Sequence, residues 1–283
     1  MSLPSYDILP PSVLIGIAAL CLAYGLAGRV LGRRPTAPQI AAFSAAMFLI
    51  WFALGPLDAL ADRRFFTMHM LEHSVLSFAM PPLLLLGVPD WMLRPWVMSR
   101  YLRPFARFFT NPIVAFSLVN VLLAIVHVPS VFDVMIRKES VHIAVHLMFM
   151  ITGTLMWWPL LSPLPELPRL PYPAQIFYLF VLLIPMGAVA APITFASDVL
   201  FKFYLEGPNP WGLTPLADQV CGGILMWVGD GIYVMLVFSW IFFHWASRDD
   251  CDEPPIRRTL RVVTPSERLA QANNYGSSPV ARS

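Results

Sequence analysis

The chain has 283 residues, of which 57% are hydrophobic and only 13% charged, with a mean hydropathy of +0.65. That is far more apolar surface than a water-soluble domain can bury, which excludes a soluble globular protein and points to a polytopic membrane protein with the lipid bilayer as its first partner. A formal net charge of +2 gives no case for nucleic acid, and Cys21, Cys221 and Cys251 are too scattered for a disulfide framework.

The N-terminus lacks the basic residues and small-residue cleavage site of a signal peptide, so none is expected. Apolar runs then follow near residues 12–32, 38–57, 67–87, 111–128, 141–161, 174–195 and 217–245. At 1.5 Å per residue these approach or exceed the ~30 Å of hydrocarbon, the fourth being shortest and the last longer than needed. Hydrocarbon offers no hydrogen-bond partners, and the runs lack the alternating polarity of barrel strands, so the expected fold is all-α: a polytopic membrane helix bundle with about seven transmembrane helices. Residues 1–246 form that transmembrane domain. From Ser247 the composition turns polar, and residues 247–283 are expected to be a flexible cytoplasmic tail. With seven spans, N-terminus out and C-terminus in puts 14 of the 19 Lys and Arg residues inside and 5 outside, and 8 against 5 without the six tail arginines.

Several residues read as architecture. Pro81-Pro82 should kink the third span and free carbonyls that neighbours must satisfy, with Pro185 and Pro192 acting likewise in the sixth. Trp157-Trp158-Pro159, Trp91 and Trp96 are expected at inner ends as headgroup anchors.

On this topology His69 and His73 open the third span from outside, His127 ends the fourth outside, and His142 and His146 open the fifth from outside, while His244 alone falls at the inner end. His69/His73 and His142/His146 are H-x-x-x-H pairs, whose rings share one helix face, about 40° apart. Neutral imidazole is the commonest metal ligand and among the less costly polar groups to hold in a membrane. A lone pair would read as a hydrogen bond across helices; two pairs plus His127 at one face point to a metal site. His244, beside Trp240 and Trp245, reads as an ordinary interfacial histidine. Met68 and Met70 flank His69, Met135 precedes the fifth span, Met148 and Met150 follow His146, and Met226 lies in the seventh. Thioether favours Cu(I), so imidazole with thioether argues for copper, against the plainer reading of methionine as apolar filler.

Glu72 falls on another side of its helix from the histidine pair and is expected as an indirect partner or part of a proton path. Asp218 and Gln219 open the seventh span, Asp218 serving as a ligand or as a helix cap. Cys221, one turn deeper, could supply a thiolate or simply pack, and Gly222-Gly223 let another helix approach.

Met68-His69-Met70-Leu71-Glu72-His73 followed by Pro81-Pro82-Leu83-Leu84-Leu85-Leu86-Gly87-Val88-Pro89, then His127-Val128-Pro129, His142-x-x-x-His146 with Gly153 and Trp157-Trp158-Pro159, and finally Asp218-Gln219, Gly222-Gly223 and Met226-Trp227 resemble the CtaG-type (caa3-type) cytochrome c oxidase assembly factors over residues 40–245. The resemblance implies a seven-helix protein of the bacterial plasma membrane needed to make active haem-copper oxidase by helping copper reach it. Carried over by position, it makes His69, His73, His127, His142 and His146 the metal residues, with Asp218 and Gln219 as motif positions. The expected function is an assembly factor and metallochaperone, not an enzyme. Copper, as Cu(I), arrives from an extracytoplasmic donor protein, binds the outward His/Met site and passes to haem-copper oxidase subunits. Five histidines exceed a three- or four-coordinate Cu(I) shell, so either two ions bind or some histidines serve exchange. The alternatives are a di-iron membrane oxidoreductase, which would need about eight clustered histidines at the cytoplasmic face, a haem carrier using His127, and a copper transporter, for which the inner half offers few ligands.

Overall fold

The structure, a computed structural model, describes residues 10–61, 65–207 and 211–249, and among these the regular elements are all helices. Arg63, Arg64 and most of the expected tail lie outside the described residues. Six helices are long and apolar enough to cross a membrane: α1 (Pro11–Val30), α2 (Ala37–Ala61), α3 (Phe66–Gly87), then, after α4, α5 (Glu139–Leu161), α6 (Tyr172–Thr194) and α7 (Pro215–Ser247). The fourth in order, α4 (Pro112–Val126), is too short alone. Counted as one span with Arg103–Phe109, which meets it at a 67° bend, it brings the candidates to seven. Boundaries follow local chemistry. Proline, whose missing N–H costs nothing in a first turn, sits at the start of α1, α2, α4, α6 and α7. Thr36 and Gln39 form a capping box on α2, Asn111 accepts from Ile113 N on α4, and Thr214 accepts from Ala217 N on α7.

The chain divides into two compact units, Met1–Ser239 and Trp240–Ser283. In the second, the end of α7 carries Trp240 and His244 stacked at 5.6 Å, consistent with an ordinary interfacial histidine. In the first, α1 is peripheral, held to the rest where Tyr24 stacks on Phe43 at 4.0 Å and donates to the Gly87 carbonyl.

Glycines set the closest approaches. A Cβ on Gly87 would sit 2.5 Å from the Phe43 backbone nitrogen, and one on Gly153 would sit 2.9 Å from the Ser77 carbonyl oxygen. Helices α2 and α5 therefore press directly on the α3 backbone.

The expected kink at Pro81-Pro82 takes the form of a π-helical turn, Val75–Ala79, immediately before the prolines. Neither proline has an N–H to return to the carbonyl four residues earlier. Both carbonyls are answered from other helices: Trp157 Nε1 donates to Ser77 O at 3.2 Å, and the Tyr233 hydroxyl donates to Phe78 O at 3.0 Å. Trp157 lies one turn beyond Gly153, so the glycine that admits α5 also brings the indole within reach. Similar π turns occur at Ala53–Leu57, around Pro56, and at Leu225–Gly229.

One expectation changes. Trp157 and Trp158 are 2% and 7% exposed, packed inside the bundle and not anchored at headgroups, because the indole of Trp157 is needed as a donor to α3. Trp96 remains exposed. In α6 the helix runs unbroken through Pro185 and Pro192.

Tyr233→Phe strands the Phe78 carbonyl in an apolar environment and is expected to cost about 1–2 kcal/mol. Thermal unfolding in detergent measures this against Tyr101→Phe on the exposed surface, which should shift stability by no more than ~0.5 kcal/mol.

Candidate metal centre

Helical spacing places His69 and His73 on one face of α3, and His142 and His146 on one face of α5. The two faces meet. Ring centroids lie 4.4 Å apart for His69–His73, 4.2 Å for His142–His146, 5.2 Å for His69–His142 and 5.4 Å for His73–His146. His127, where α4 ends, is 6.2 Å from His73. All five rings are buried.

Both nitrogens of His69 and of His73, and Nε2 of His142 and His146, are buried without a hydrogen-bond partner among the described residues. Each such group carries a desolvation penalty of a few kcal/mol unless something binds it. One nitrogen each from His69, His73 and His146 lie within 4.8 Å of one another. A tetrahedral ion with bonds of about 2.0–2.1 Å spaces its ligands ~3.3 Å apart, so modest side-chain rotation would close the triad on an ion.

Glu72 is fully buried, and His146 Nδ1 lies 3.3 Å from its Oε1. Donation from Nδ1 to this carboxylate leaves the Nε2 lone pair of His146 for the triad. Glu72 thus stands beside His146 as an indirect partner through that ring's Nδ1. With Asp58, His142 and His146 it forms a second group whose ligand atoms also lie within 4.8 Å of one another. Asp58, in α2 just past Pro56, was missed from the sequence; the available signal was an ionisable side chain ending an apolar run.

His127 has a different environment. Its Nδ1 is 2.8 Å from Leu123 O and its Nε2 is 3.4 Å from Met70 Sδ. The carbonyl only accepts, so the ring proton belongs on Nδ1, and the Nε2 lone pair then faces a thioether lone pair. Two soft acceptors facing each other suit a soft cation. Met68 is half-buried, Met135 and Met226 belong to the hydrophobic core, and Met148 is 51% exposed.

An aromatic layer covers the cluster. Phe132 lies 5.3 Å from His69 and Phe149 4.5 Å from His73. Phe66 stacks on Phe201 at 4.9 Å, and Phe132 meets Phe201 at 4.4 Å. Phe201 and Tyr204 come from the segment between α6 and α7, which an Arg137–Glu206 ion pair ties to the helix Pro129–Arg137.

Asp218 and Gln219 are committed elsewhere. The Asp218 carboxylate accepts from Phe66 N at 2.6 Å, Thr67 N at 3.0 Å and Thr67 Oγ1 at 2.6 Å, capping the start of α3 from α7. Gln219 Oε1 accepts from Leu200 N, and its Nε2 donates to Ile193 O and Asp198 O, holding the α6–α7 segment under the aromatic layer. A Cβ on Gly222 would overlap the Phe66 ring, and one on Gly223 would meet Thr194, so this stretch packs against both α3 and α6. Cys221, immediately before Gly222, is exposed.

Comparison with known proteins matches residues 22–248 to the family described as cytochrome c oxidase caa3 assembly factor. Over 259 residues the chain is 29% identical to an uncharacterized protein of Mycobacterium bovis and 29% identical to one of Mycobacterium tuberculosis, covering 83% of this chain and 39% of each relative. An uncharacterized protein of Mycobacterium leprae is 27% identical over the same coverage. The chain therefore spans about two fifths of the length of the curated relatives it matches. No solved structure matches.

Asp218→Ala should uncap α3 and lower stability by about 2–4 kcal/mol, the cost of losing charge-assisted hydrogen bonds. Metal content of the folded fraction should be unchanged. A variant that melts normally but has lost metal would instead make Asp218 a ligand.

Proposed function

The chain belongs to the cytochrome c oxidase caa3 assembly factor family, and on that premise we propose that it holds copper, as Cu(I), in the buried histidine cluster and passes it to a haem-copper oxidase subunit. It acts as a metallochaperone, not a catalyst, with copper as its cargo. The supporting observation is the triad of His69, His73 and His146, whose buried, mutually adjacent nitrogens have no other hydrogen-bond partner among the described residues. Three neutral imidazoles suit Cu(I), and the monovalent charge is the least costly to bring into an apolar interior. Hard cations such as Mg²⁺ or Ca²⁺ call for oxygen shells that the triad does not offer.

The His127 Nε2 and Met70 Sδ pair extends this reading. Its soft lone pairs, next to His73, form a place where copper exchanges ligands on its way into or out of the triad. The excess of the five histidines over one Cu(I) shell is then what transfer by stepwise ligand exchange requires. The lysine and arginine distribution supports an outward position for this end of the bundle, which goes with an extracytoplasmic copper donor and the bacterial plasma membrane as the setting.

Detergent-purified protein loaded with Cu(I) under reducing conditions should bind one or two ions tightly, and a His73→Ala, His146→Ala double variant should lose them. Metal analysis after gel filtration reads the result. Weak, equal binding in both would overturn the proposal. In cells the double variant should lower the copper content of the oxidase.

A further inference from the structure

We infer that the cluster contains a second cation position, selective for divalent ions, made by Asp58, Glu72, His142 and His146 and sharing His146 with the Cu(I) triad. The competition it implies rests on the copper reading. The divalent position itself does not.

The two groups differ in chemistry. The triad supplies only nitrogen. The second group supplies two carboxylates and two imidazoles whose ligand atoms fall within 4.8 Å of one another. A two-nitrogen, two-oxygen set with anionic oxygens suits zinc-like divalent ions and disfavours Cu(I), which prefers soft ligands. Two carboxylates offset a 2+ charge, whereas the neutral triad leaves such a charge uncompensated in an apolar surrounding. His142 and His146 are 8% and 5% exposed, and each has an Nε2 without a hydrogen-bond partner among the described residues. Imidazole, not acid clustering alone, therefore marks the position.

Sharing His146 makes the positions exclusive. With Cu(I) in the triad, His146 ligates through Nε2 and keeps its Nδ1 proton for Glu72, 3.3 Å away. A divalent ion between Glu72 and His146 breaks that contact and turns the ring to the carboxylate side. A neutral imidazole has one lone pair, so it serves one ion at a time. The site thereby discriminates between monovalent and divalent ions by where each one sits, and a bound divalent ion blocks loading with Cu(I).

Co²⁺ is the probe, because its visible absorption reports four-coordinate binding. Anaerobic titration of the full-length protein in detergent should give one Co²⁺ per chain with intense visible bands, and Cu(I) should displace it. Asp58→Asn should weaken Co²⁺ binding by at least about tenfold while leaving Cu(I) binding intact, and His69→Ala should do the reverse. Retained Cu(I) binding also shows that the Asp58 variant folds; the displacement in wild-type protein is a test that needs no variant. No Co²⁺ uptake by wild type, undiminished uptake by Asp58→Asn, or one Co²⁺ and one Cu(I) bound together would each overturn the inference. Co²⁺ uptake that depends on Asp58, with no Cu(I) binding at all, would support the divalent position and sink the copper reading.

Discussion

Among the described residues, six imidazole nitrogens, on His69, His73, His142 and His146, are buried without hydrogen-bond partners, and much of the bundle is arranged to keep them together. Left alone, such groups would turn toward any donor or acceptor, because unsatisfied polar atoms in a low-dielectric interior are costly. On one side Phe132 and Phe149 lie against His69 and His73, with Phe201 packed on Phe132 and Phe66, and these rings offer no hydrogen-bonding atoms. Backbone groups nearby are already paired within their helices. The rings are kept available by the poverty of their surroundings, at a cost in stability that binding an ion can recover.

That cost is tolerable because the helix ends carrying the histidines are tied down by groups that are fully paired. Asp218 caps α3 two residues before Met68, and Gln219 holds three backbone groups around the α6–α7 segment. Gly222 lets α7 lie against Phe66 and Met70, the residues that bracket His69. Deeper in the bundle, the carbonyls freed by Pro81-Pro82 are claimed by Trp157 and Tyr233, joining α3 to α5 and α7. A proline pair that weakens α3 on its own becomes, with these partners, the means by which α3 and α5 hold their mutual register. The histidines of the two helices face each other one to two turns away.

The helix count, the H-x-x-x-H faces and the need to satisfy carbonyls freed by Pro81-Pro82 were all legible in the sequence, because each follows from local spacing or from a missing N–H. What required the fold was the pairing of distant residues. Nothing local announces that Asp58, at the end of α2, lies beside Glu72 and His142. Asp218 looked equally like a ligand or a cap; the contact with Phe66 and Thr67, about 150 residues away in the chain, is what commits its oxygens. Trp157 read as a headgroup anchor because tryptophan near the end of an apolar run usually is one. The free Ser77 carbonyl draws it inward instead.

The proposed copper relay would impose opposing demands, tight enough binding to protect the ion and fast enough release to pass it on. A closed four-ligand site would meet the first and fail the second. Three imidazoles flanked by an imidazole–thioether pair would meet both, since each exchange would trade one soft ligand for another of similar strength without exposing a bare ion to hydrocarbon. On the inference of a second cation position, the carboxylates next to the triad would set where divalent ions compete, since by the Irving–Williams order Cu²⁺ and then Zn²⁺ or Ni²⁺ compete for any nitrogen site. Placing oxygen ligands to one side would give those ions a different position, and because His146 belongs to both groups, an ion held there would keep Cu(I) out of the triad until it was displaced.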